Sequence, residues 1–290
     1  RDGFQREEPI LNIRKVMTTR DDVTLDWAVL NDEEGWINSE QEENDNLTKW
    51  IWTGKNIPAF VSEPGMVYAY QVIPLLLCST TDWKGFSKAA WELVEPNMVA
   101  DSAIKAKVAE ITKGLTDEYE KIRRIFFFVA QEVRYLGVPI GDKEGIEPHP
   151  APLTFEQRQG VCKDKATLLA TMLKEAGIES WVALSNPIGK VYKEVAASQF
   201  MHMITGAKLS NGKVYYLDST DEFCRDLLPA YTYNKEYLPC LPEGSELKKF
   251  PLQTPSENRE LIKIRSRIDK QGKLYATINY EVKGIYDEIW

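Results

Sequence analysis

The stretch from Gly160 to Gly177 constrains the fold of this chain more than any other, because it lays out as one largely apolar helix with a cysteine in its first turn. At about 100° per residue, Lys163, Asp164, Thr167, Thr171, Lys174 and Glu175 fall in one polar arc, and Ala166, Leu168, Leu169, Ala170, Met172, Leu173 and Ala176 fill the rest. Cys162 sits in the middle of the apolar arc, so the helix is expected to be mostly buried with its thiol turned inward. Gly177 is the expected left-handed stop. Upstream, Thr154-Phe155-Glu156-Gln157 has the form of a capping box, which predicts a short helical turn starting there and ended by Gly160.

A cysteine so placed invites nucleophilic chemistry. First-turn amides of a helix carry partial positive charge along its axis, so they favour thiolate over thiol and can stabilise an oxyanion. The alternative is an inert core cysteine, since free cysteine is among the most buried residue types. A base and a carboxylate decide between the two. Phe200-Met201-His202 and Tyr216-Leu217-Asp218 lie about forty and about fifty-six residues downstream. Phe200 to Leu209 and Val214 to Asp218 read as strands around the turn signal Ser210-Asn211-Gly212-Lys213. A two-residue Asn-Gly loop would send His202 and Asp218 to opposite faces of that hairpin. A three-residue loop with Gly212 left-handed pairs Leu209 with Lys213 and Ile204 with Asp218. His202 then faces Thr220, with Asp218 its diagonal neighbour on the same face, roughly 7–8 Å away at the backbone. The three-residue loop is the expectation.

These residues also resemble a known family. Gly160-Val161-Cys162-Lys163-Asp164-Lys165-Ala166, Leu168-Leu169 and Gly177-Ile178, then Phe200-Met201-His202 and Tyr216-Leu217-Asp218-Ser219-Thr220, are similar to the core of the transglutaminase-like superfamily of thiol enzymes. The motifs come in order and at the expected spacing over about a fifth of the chain. Trp52 to Glu63, with Asn56-Ile57-Pro58-Ala59 inside it, and the Trp83 region more loosely resemble the β-rich domain that precedes this core in a group of bacterial proteins. The resemblance implies an α+β fold with a papain-like core, in which the nucleophile helix packs on an antiparallel sheet. It makes Cys162 the nucleophile, His202 the general base and Asp218 the group that orients the imidazole. It also implies cysteine protease or transglutaminase-like amidase chemistry through a Cys162 thioester, hydrolysing or transferring an amide of a peptide or protein substrate, with no cofactor, in a periplasmic or secreted bacterial setting. A second reading stays open: an idle triad on a fold kept as a protein- or glycan-binding or assembly module.

For the oxyanion, the Cys162 backbone amide is one candidate donor, and a side chain from the Gln131 to Tyr135 region is a second. His149, in the proline-flanked Glu147-Pro148-His149-Pro150, either edges the cleft or is simply exposed. Asp164 needs no catalytic role, because a carboxylate in a first helical turn is favourable in itself. Lys165 is the one charged residue within the apolar arc, so its stem should be covered and its ammonium should find water or a carboxylate. Cys78, Cys224 and Cys240 lack the short Cys/His spacing of a zinc site, and two histidines are few for one, so no metal is expected. The acidic stretch from Asp32 to Asp45 lacks the alternation of a calcium loop and reads as a solvated loop or strand edge.

A net charge of −8 and a pI near 5.1 argue against a nucleic-acid surface or a polybasic membrane patch. The longest apolar run, Val72 to Cys78, is broken by Pro74 and is far short of a membrane span. Residues 1–100 are expected to be a β-rich domain, with strand-like alternation at Val23 to Trp27 and Met66 to Tyr70. Residues 101–245 are expected to be the transglutaminase-like thiol domain, with a helix capped by Thr116 and a strand at Trp181 to Leu184. The loop from Asn186 to Ser198 is long and polar, and is expected to line the cleft and set substrate choice. After a linker rich in proline, residues 256–290 read as the start of a C-terminal β-domain, with a hairpin turning at Asp269 to Gly272. Starting at Arg1 and stopping soon after strand-like alternation, the chain reads as a piece of a longer protein.

Overall fold

The computed structural model describes residues 1–137 and 145–289. In chain order its elements are β1 (Asp2–Gly3), β2 (Ile10–Arg20), β3 (Asp26–Leu30), β4 (Ile37–Asn44), β5 (Leu47–Ile57), β6 (Leu75–Ser79), α1 (Trp83–Val94), α2 (Ser102–Ile111), α3 (Glu118–Glu132), β7 (Arg134–Tyr135), α4 (Ala151–Gln157), β8 (Gln159–Gly160) and α5 (Cys162–Glu175). There follow β9 (Glu179–Ser185), β10 (His202–Lys208), β11 (Val214–Leu217), β12 (Glu236–Pro239), β13 (Lys248–Lys249), β14 (Arg259–Ile268), β15 (Leu274–Lys283) and α6 (Ile285–Ile289). They form two compact units, neither contiguous in sequence. One takes Arg1–Pro96, Ala183–His202 and Glu236–Lys248, and the other Asn97–Val182, Met203–Lys235 and Lys249–Trp290.

In the first unit, β2, β5 and β4 make one antiparallel sheet and β1, β6 and β3 another. Phe4, Leu25, Trp52, Ile57 and Leu76 form the apolar centre, where Trp27 meets Trp52 edge to face with ring centroids 5.5 Å apart. The acidic stretch is the edge strand β4 and its approach, and charges there discourage edge-to-edge pairing. Met66 to Tyr70 is not a strand. Pro64 and a left-handed Gly65 turn the chain, and a short 3-10 helix follows at Ala69–Gln71. The loop after β9 also departs from expectation, because Tyr192, Val195 and Ala197 pack on Leu75 and Leu77 of β6. Its polar residues bond one another: the Gln199 side chain accepts from Tyr192 N and donates to Tyr192 O, while Asn186 donates to Gln199 O. This segment is a packed element.

In the second unit, α2, α3 and α4 pack with α5 and with β10 and β11 around Ile122, Phe126, Val129, Leu168, Leu169, Met172 and Leu217. Asp117 caps α3 by accepting from Glu120 N at 2.9 Å, one residue after the expected Thr116. The capping-box reading at Thr154 fails, since α4 already starts at Ala151 and buries Thr154 within it. Pro152 suits a first turn where no amide bond is lost, and Arg158, left-handed at φ 53°, ends the helix. Helix α5 runs as expected to Gly177, whose φ is 81°. Its polar arc is covered as well, however: Lys163, Asp164, Thr167 and Thr171 are all buried. Strands β14 and β15 form the expected hairpin, closing with Ile268 opposite Leu274. Among the described residues no helix is long and apolar enough to cross a membrane.

Candidate active site

The hairpin of β10 and β11 closes with a three-residue loop. Leu209 N donates to Lys213 O at 2.9 Å, Gly212 N to Leu209 O at 2.9 Å, and Gly212 has φ 85°. The ladder then runs Lys208 opposite Val214 to Thr205 opposite Leu217. The paired residues stop there, with Asp218 N donating to Leu227 O at 2.7 Å, and along β10 the residues His202, Ile204 and Gly206 alternate onto one face of the strand. The other face carries Thr205, whose Oγ1 donates to Ala166 O at 3.0 Å. That bond pins β10 to α5 one helical turn after Cys162 and three strand residues after His202.

Cys162 is the first residue of α5 and is half-buried. Its N–H lies at the first helical position, where no intrahelical acceptor exists. The turn that presents it is built by Asp164. One carboxylate oxygen accepts Val161 N at 3.1 Å, and the other accepts His149 N at 2.8 Å with His149 Nδ1 at 3.2 Å. Gly160 makes room for this carboxylate, for a Cβ there would sit 2.7 Å from the Asp164 Cβ. His149 is therefore not an exposed loop histidine. It is half-buried and tied to the helix start.

Asp218 is buried, its Oδ1 accepting from Thr220 N at 3.1 Å and Thr220 Oγ1 at 2.7 Å. Tyr135 lies on β7, parallel to β8 and paired with Gly160, two residues before Cys162. The Tyr135 hydroxyl is held above its ordinary value by burial and then by the charges of Cys162 and Asp218. Of the predicted residues, Cys162 and Asp218 thus both act electrostatically on Tyr135. Gln131 does not join them. It stands about 180° around α3 from the stripe of Ile122, Phe126, Val129 and Val133, exposed in a shallow groove with Glu110, Arg124 and Phe127. Among the described residues, no group of His, Cys, Asp and Glu side chains is arranged to hold a metal.

Residues 105–218, which include Cys162, His202 and Asp218, match the family model of the transglutaminase-like superfamily. This segment is a transglutaminase-like core. The solved structure of a candidate protease from Parabacteroides distasonis aligns over 93% of this chain and 53% of its own, with a TM-score of 0.65 at 18% identity, a likeness of fold. The chain thus spans about half the length of that protein. A candidate cysteine protease from Cytophaga hutchinsonii aligns over 98% of this chain and 83% of its own, with a TM-score of 0.36 at 11% identity. No curated protein matches the chain.

Two residues near Tyr135 and Cys162 were not anticipated here. Glu222 Oε1 accepts Tyr135 N at 2.9 Å, joining the turn after β11 to β7, and nothing in the local sequence marks that pairing. Lys165 was visible as the lone charge in an apolar arc, but its ammonium meets the backbone carbonyls of Ala130 and Val133.

Proposed function

We propose that the transglutaminase-like core performs thiol-dependent acyl transfer or hydrolysis at an amide of a peptide or protein. The reading rests above all on Cys162, half-buried at the first position of α5 and two residues after Gly160, the partner of Tyr135 across β7 and β8. Cys162 is the nucleophile, and its thiolate attacks the amide carbon. The resulting oxyanion is met by the Cys162 N–H and the Tyr135 hydroxyl, which stays protonated, and so able to donate, well into the alkaline range. His202 takes the thiol proton and returns it to the leaving amine as the C–N bond breaks, leaving a thioester on Cys162. Asp218 orients the imidazole and stabilises its cationic form. Water then attacks the thioester in hydrolysis, or a second amine in transfer, and the free thiol returns.

Hydroxylamine intercepts a thioester on either route. Incubation with a peptide mixture and hydroxylamine should yield peptide hydroxamates by mass spectrometry, absent with Cys162→Ala. A yield that survives Cys162→Ala would refute the mechanism, and no yield from the wild type would favour the idle binding module.

A further inference from the structure

Lys165 stands one helical turn after Cys162 and is completely buried. Its Nζ donates to Ala130 O at 3.2 Å and to Val133 O. Both acceptors are backbone carbonyls at the C-terminal end of α3, where the last carbonyls lack intrahelical donors and carry partial negative charge. Val133 leads straight into β7, so this ammonium fixes the backbone that carries Tyr135. The turn after β11 acts on it as well, through the charges of Glu222, Asp218 and Asp221. Glu222 in turn holds the Tyr135 N–H. On α5 itself the adjoining charges are Lys163 and Asp164.

Burial lowers the Lys165 ammonium to about 8 against the pull of those acidic neighbours. An apolar side chain of similar length would fill the same space without that desolvation cost. None of the steps of acyl transfer needs a lysine. At this position the helix that Cys162 opens and the backbone that leads to Tyr135 meet at one buried ammonium, with the turn after Asp218 acting on it by charge.

We propose that Lys165 is the positioning residue of this site: one buried ammonium ties the end of α3, and with it Tyr135, to the first turn of α5, and holds the Asp218–Glu222 turn against both by charge. This inference rests on the reading of Cys162, Tyr135 and Asp218 as one site.

The test is iodoacetamide alkylation of Cys162 in the full chain, mapped by mass spectrometry at pH 7 and pH 9, in wild type, Lys165→Met, Lys165→Arg and His202→Ala. Removing the cation leaves the surrounding carboxylates unopposed and disfavours thiolate. The ratio of the pH 7 rate to the pH 9 rate should therefore fall about fivefold or more in Lys165→Met and stay within about twofold of wild type in Lys165→Arg. A folded Lys165→Met with the wild-type ratio overturns the proposal. Lys165→Gln, which keeps a donor for one carbonyl, is read the same way if Lys165→Met does not fold. Unfolding of both neutral variants and of Lys165→Arg would make the residue a fold element only, and would also overturn it. A wild-type rate that ignores His202→Ala defeats the catalytic reading instead, and leaves the Lys165 comparison legible, because the thiol reports its surroundings whether or not it turns over.

Discussion

At the scale of single residues, the chemistry proposed for Cys162 depends on what surrounds it. If Tyr135 donates to the oxyanion, Tyr135→Phe should slow hydroxamate formation on the order of 10²-fold while leaving iodoacetamide alkylation of Cys162 unchanged. Equal losses in both assays would mean that the phenol acts on the thiol and not on the acyl group. Asp164 belongs to the architecture of the same turn, holding Val161 N and His149 N. Asp164→Ala should cost about 1–3 kcal/mol in urea denaturation, because buried amides lose their acceptor; a loss within a few tenths would show that water replaces the carboxylate. The positions of Cys162 at the start of α5 and of Asp218 just past β11 were legible in the sequence because each adjoins a strongly patterned element. Gln131 was misread because its neighbours on α3 are buried, whereas it points the opposite way.

At the scale of elements, helix α5 and the β10–β11 hairpin followed from local signals. Gly177 and Gly212 occupy left-handed positions that the chain can barely adopt otherwise, and they set a helix end and a register. The segment after β9 was misread for the opposite reason. Its polar residues suggested an unstructured, cleft-lining loop, yet Gln199 satisfies both the N–H and the C=O of Tyr192 while Val195 and Ala197 reach the core. Polarity in sequence does not distinguish bonds to water from bonds to a partner seven residues away. Gln199→Ala should therefore lower stability by about 2–4 kcal/mol, as two buried backbone groups lose partners. Substrate preference changing at unaltered melting temperature would restore the cleft-lining role.

At the scale of the whole molecule, the buried titratable groups give stability a definite alkaline signature. Lys165 holds its proton to about 8 when folded but to about 10.4 when unfolded. Between those values the unfolded chain binds more protons, so this group raises stability as pH climbs. Burial pushes the Cys224 and Cys240 thiols up to about 12, so above about pH 9 the unfolded chain loses their protons first and the trend opposes that of Lys165. The Lys165 gain should therefore be read from pH 8 to 9 as the wild-type change in stability minus that of Lys165→Met, on the order of 1 kcal/mol. An identical gain in that variant would assign it to other groups. The central claim is that Cys162 works with His202, and it is tested most directly by the rate of Cys162 alkylation by iodoacetamide at pH 7 in wild type and His202→Ala. The account predicts labelling faster than that of a free cysteine, falling at least about tenfold without the imidazole. Slow labelling that is indifferent to His202 would contradict it.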